Sequence, residues 1–67
     1  MAAQPQPEVA HWVGSIKTIG QYGPMYEVLG PAGRSAKGDA LVSIRVVPTG
    51  EVTDYELEDM MNDPEAA

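Results

Sequence analysis

The sequence predicts a mainly β domain: a small SH3-like barrel or a strongly bent four-stranded antiparallel sheet, with a short C-terminal helix at one open end. Three observations predict it. Residues 40–47 alternate at period two, with Ala40, Val42, Ile44 and Val46 on one face. Glycine and proline punctuate the chain at 20–24 and again at 48–50, where tight turns would join neighbouring strands. The apolar period then changes, because Leu57, Met60 and Met61 stand at i, i+3 and i+4 with acids between them.

Each element follows from its residues. Residues 1–10 place Pro5 and Pro7 among Gln, Ala and Glu, which favours an extended, disordered arm. His11 to Ile19 mixes aromatic and β-branched residues and reads as the first strand. Trp12 and Ile16 are expected to point inward; Ile19 then falls on the opposite face unless Gly20 marks a bulge. Gly20 to Pro24 is a turn. Met25 to Leu29 is the second strand, antiparallel to the first. Gly30 to Asp39 holds three glycines and a proline and is expected to be a long mobile loop. Ala40 to Val47 is the third strand. Leu41 and Val47 on its outward face mark it as central, or as covered by a partner. Pro48-Thr49-Gly50 is a hairpin connection with Gly50 left-handed. Glu51 to Tyr55 returns, bringing Val52 and either Asp54 or Tyr55 to the core. The helix begins near a cap at Asp54 or Glu56 and stops at Asn62-Asp63-Pro64, since a residue before proline avoids the α region. The domain therefore spans 11–63, and residues 64–67 form a frayed tail.

Length and composition bound the function. A chain of 67 residues is one small domain, too short for a doubly wound sheet. With no cysteine there is no disulfide framework and no thiol chemistry, and one histidine cannot supply a multi-histidine metal site. No apolar run reaches the ~18 residues of a membrane span. The first ten residues lack the basic start and apolar stretch of a secretory signal, so a cytoplasmic protein without a membrane partner is expected. Net charge is −6 and is concentrated at one end: residues 1–50 sum to +1, residues 51–67 to −7. That acidity opposes ordinary nucleic-acid binding, which needs cations to neutralise phosphates.

The candidate chemistry is sparse. Glu56, Glu58, Asp59, Met60 and Met61 form the candidate partner-binding surface, since methionine adapts to irregular partner faces. Arg34 and Lys37 are the candidate anion contact, although Lys37 is followed by Gly-Asp and a strand, which is not a phosphate-loop context. The acids from Asp54 to Asp59 alternate but lack the glycine of a calcium loop. Trp12, Tyr22 and Tyr26 are the candidate stacking platform of a single-strand-binding barrel. No catalytic residue, cofactor site or metal site is assigned.

Three stretches carry a resemblance: Ile19-Gly20-x-Tyr22-Gly23-Pro24-x-Tyr26-Glu27-Val28, Val46-Val47-x-Thr49-Gly50-Glu51, and Asn62-Asp63-Pro64-Glu65-Ala66. From Ile16 to Ala66 the chain resembles a family of short uncharacterised proteobacterial proteins, a domain of unknown function. The resemblance implies a bacterial, stand-alone small protein and brings no activity, ligand or catalytic residue with it. The reading reached from sequence is a non-enzymatic interaction protein that binds a protein partner or a second copy of itself. The alternatives are an acidic inhibitor imitating nucleic acid, or a small nucleic-acid-binding barrel.

Overall fold

In a computed structural model, residues 9–66 are described. They form a 3-10 turn at Val9–His11, strands β1 (Ile16–Thr18), β2 (Met25–Arg34), β3 (Ala40–Val46) and β4 (Val52–Glu56), and helix α1 (Leu57–Asn62). The strands make one antiparallel sheet in sequence order, β1-β2-β3-β4, which is not closed into a barrel. The sequence expectation of a bent four-stranded sheet with a short terminal helix therefore holds. Among the described residues no helix is long and apolar enough to cross a membrane.

The register sorts side chains onto two faces, because residues directly opposite one another share a face. Tyr26 pairs with Lys17 and Val46, Ile44 with Val28 and Thr53, and Val42 with Tyr55. This is the inner face. Tyr26, Val28, Val42 and Ile44 are buried there with Val9, Leu57 and Met60, and Trp12, Ile19, Ala40 and Tyr55 pack around them. The other face carries Ile16, Glu27, Arg45 and Val52 in one row, and Glu27 forms an ion pair with Arg45 across the strands.

Four sequence expectations change here. The first strand is shorter than expected; Trp12 packs against the core as expected, but the facing of Ile16–Thr18 is reversed. Lys17, not Ile16, points inward, and its ammonium lies 4.9 Å from the centre of the Trp12 ring while its aliphatic stem is covered. Ile19, two residues on, then reaches the core without a bulge. Second, β2 runs on through Gly30–Arg34, so half of the expected mobile loop is strand. Register shifts at Val28/Gly30 and Pro31/Arg34 accommodate the glycines and the proline. Only Ser35–Asp39 remains as a loop, and it is tightly held: the Ser35 hydroxyl accepts from the Lys37 and Asp39 amides at 3.2 and 3.1 Å. Third, Val52 faces outward and is 58% exposed, while Thr53 and Tyr55 lie on the inner-face side, where Tyr55 packs against the core. Fourth, the ends are ordered further out than expected. Val9 is buried in the 3-10 turn, and residues 64–66 are not frayed. They pair with the outer side of β1, through Thr18 N–H to the Pro64 carbonyl (3.0 Å) and Ala66 N–H to the Ile16 carbonyl (2.8 Å). The rest of the expected arm, residues 1–8, and Ala67 lie outside the described residues.

Two turns show why glycine is needed. Gly50 takes the left-handed φ of 77° expected for the β3–β4 connection, and its amide donates to the Val46 carbonyl at 2.7 Å. At Gly23 the constraint is contact: an added Cβ would sit 2.1 Å from the Ile19 carbonyl oxygen, which the Gly23 amide itself holds at 2.8 Å.

Candidate functional site

Two tyrosines of the inner face converge on Asp63. Tyr26 of β2 and Tyr55 of β4, on either side of β3, bring their rings together, with centres 5.3 Å apart and planes tilted by 59°. Both hydroxyls donate to the same carboxylate oxygen of Asp63 at 2.8 Å, and its other oxygen accepts the Gly20 amide at 3.0 Å. Helix α1 delivers Asp63 to this point. The helix ends at Asn62 as Pro64 requires, and the Asp63 amide closes its last turn on the Asp59 and Met60 carbonyls. Both phenols are held well above the ordinary tyrosine value. Burial is the larger cause, because it penalises the phenolate; the Asp63 hydrogen bond and its negative charge add to it. Three residues far apart in sequence thus form a clasp joining β2, β4 and the end of α1 to the β1–β2 turn. Its hydroxyls and its carboxylate are committed to one another.

A groove of about 570 Å³ opens elsewhere on the surface. It runs between the 3-10 turn and the bulged half of β2, and its walls include Val9, Val13, Leu29, Leu41 and Leu57. The bulge creates it: the register shift after Val28 displaces Leu29 from the regular pleat. Arg34 stands at its rim and donates to the Gly38 carbonyl at 2.7 Å. A second hollow of about 330 Å³ adjoins the groove, sharing Ala40 and Leu57 with it and adding Asp39, Glu56, Glu58 and Met61.

The residues singled out from sequence divide accordingly. Glu56, Glu58 and Met61 come together at the second hollow. Asp59 is exposed on α1. Met60 is fully buried in the core, so the two adjacent methionines have opposite roles. Glu56 occupies the N-cap position of α1 without a side-chain capping bond. Arg34 is tied into its own hairpin, and Lys37 is exposed at the hairpin tip. The expected aromatic platform does not form, because Tyr26 is fully buried whereas Tyr22 is 94% exposed on the turn. Sequence reasoning missed the clasp and the groove. The clasp left no signal beyond an inward Tyr26 and an acid before a proline. The groove arises from a bulge in a stretch that reads as loop.

A family model described as a family of unknown function (DUF5397) matches residues 2–67. An uncharacterised protein of Haemophilus influenzae is 42% identical over 53 residues, which cover 79% of this chain and 84% of that protein.

Proposed function

The chain belongs to the DUF5397 family of unknown function, and from that premise we propose that it is a non-enzymatic interaction module that docks a protein partner in the apolar groove. The supporting observation is the groove itself. Leu29, Leu41 and Leu57 line an open trough, with Val13, 50% exposed, at its side. An open trough lined by apolar side chains on a small domain is a usual mark of a binding site. The clasp points the same way, since Tyr26, Tyr55 and Asp63 satisfy one another and leave no free acid–base pair there.

The test uses a minimal apolar probe, N-acetyl-leucine methylamide, titrated into the isotope-labelled chain. Saturable amide shifts confined to Leu29, Leu41, Leu57 and their neighbours are expected. Shifts that do not saturate, or that scatter over the surface, overturn the reading. A second reading is favoured by the exposure of Glu51, Asp54, Glu58, Asp59 and Glu65: an acidic imitation of nucleic acid that occupies a basic groove. It requires binding to a basic protein that collapses between low and moderate salt.

A further inference from the structure

We infer that the groove takes a cationic polypeptide segment, with an apolar side chain seated against Leu29, Leu41 and Leu57 and a lysine or arginine beside it over Glu56 and Glu58. The inference rests on the docking reading above and adds the chemistry of the partner.

The argument is one of continuity and charge. The groove and the acidic hollow share two walls, Ala40 and Leu57. Leu41 of the groove is also the cross-strand partner of Glu56 of the hollow, so their side chains lie on one face. An occupant filling the apolar trough therefore extends its next side chains over Asp39, Glu56 and Glu58. Among the described residues that line the hollow there is no lysine or arginine. The opposite rim carries Arg34, which is already bonded to the Gly38 carbonyl. The two ends of the apolar groove thus differ in charge, and the cationic end of the occupant lies toward α1.

Other occupants fit less well. A second copy docked with its two-fold axis at the acidic hollow would set Glu56 and Glu58 against their own images, a like-charge contact. The segment preceding the described residues, Met1 to Glu8, carries a carboxylate, no lysine or arginine, and a single large apolar side chain. Nucleic acid would meet carboxylates where it needs cations.

The test compares three acetylated, amidated peptides by amide-shift titration of the full chain: Gly-Leu-Leu-Lys-Arg-Gly, its acidic analogue Gly-Leu-Leu-Glu-Glu-Gly, and the leucine-free Gly-Gly-Gly-Lys-Arg-Gly. The first is expected to saturate with shifts at Leu41, Glu56, Leu57 and Glu58. It should bind roughly tenfold tighter than the acidic analogue, the size expected for two exposed charge pairs made rather than opposed. The preference should shrink as salt rises and should fall to within about threefold in the Glu56→Gln/Glu58→Gln variant, in which Glu58 is exposed and the half-buried Glu56 has no side-chain capping bond to lose. Equal binding of the acidic analogue overturns the inference while leaving the docking reading intact. Equal binding of the leucine-free peptide also overturns it, since charge alone would then explain the contact. Contacts between Met1 and Leu41 in the free chain, or a dimer that covers Leu41, would assign the groove to another occupant. If neither these peptides nor N-acetyl-leucine methylamide enters the groove, both readings fall together.

Discussion

Asp63→Ala removes the acceptor of three hydrogen bonds at once. The Gly20 amide is exposed and turns to water at little cost. The Tyr26 hydroxyl belongs to a fully buried residue and has no such outlet. Stranding a buried donor costs about 1–3 kcal/mol, and losing the charge-assisted bond from Tyr55 adds about 1.5 kcal/mol. The expected loss is about 2–5 kcal/mol. A domain of this length holds about 3–10 kcal/mol in total, at ~0.05–0.15 kcal/mol per residue. The clasp is therefore worth a large share of the fold. Urea unfolding followed by Trp12 fluorescence measures it, since Trp12 is the chain's single tryptophan and packs against the core. With a slope of about 1 kcal/mol per molar urea, the midpoint should drop by about 2 M or more. If that variant is unfolded in water, Asp63→Asn carries the test. An amide has one acceptor oxygen, so either the tyrosine pair or Gly20 must face an NH2 donor, at about 1–3 kcal/mol. An Asp63→Asn variant within ~0.5 kcal/mol of the parent, or a Tyr55–Asp63 double-mutant coupling below ~0.5 kcal/mol, would refute the reasoning.

The clasp also sets an alkaline limit. With both phenols raised from the ordinary value of 10.0, the native state keeps protons that the unfolded chain releases, so stability is full below pH 10 and falls as pH rises above it. Urea midpoints measured across that range should decline in the parent and flatten in Tyr26→Phe/Tyr55→Phe; a parent insensitive to pH above 10 contradicts this. Gly23→Ala drives a Cβ into the Ile19 carbonyl and should lower the melting temperature by about 8 °C or more, at about 4–8 °C per kcal/mol for a domain of this size, and an unchanged melting point would show that the turn yields freely. Met60→Ala should cost about 2–5 kcal/mol and Met61→Ala less than about 0.5 kcal/mol, so equal effects in urea would contradict their opposite placement. Arg45→Ala, which breaks the exposed pair with Glu27, should cost under ~1 kcal/mol and nothing measurable at high salt.

What could be read in advance depended on how local the signal was. The β3 alternation, the Gly50 turn and the Leu57/Met60 period were legible because each rests on residues within a few positions of one another. The facing of β1 was not, because an inward Lys17 looks like a solvent residue in any hydropathy pattern; its stem is apolar and its charge finds the Trp12 ring. The second half of β2 was hidden by Gly30, Pro31 and Gly33, which strands avoid unless a bulge admits them. The clasp joins positions 26, 55 and 63, and the separation of 37 residues between Tyr26 and Asp63 leaves no periodic trace. The strip at 64–66 was lost for a related reason: its order comes from β1, not from its own composition. A truncation after Tyr55 would accordingly remove Leu57, Met60 and Asp63, and would report on folding rather than on partner contact.

That strip shelters one margin of the sheet. The other margin belongs to β4, whose described neighbour is β3 alone. An unprotected margin is a template on which foreign strands polymerise. The middle residue of β4 is Asp54, and Glu56 follows on the same side. Two chains meeting margin to margin about Asp54 would bring carboxylate onto carboxylate. Like charge at that margin opposes such pairing, and acidification or Asp54→Val would weaken the opposition and favour strand-to-strand growth.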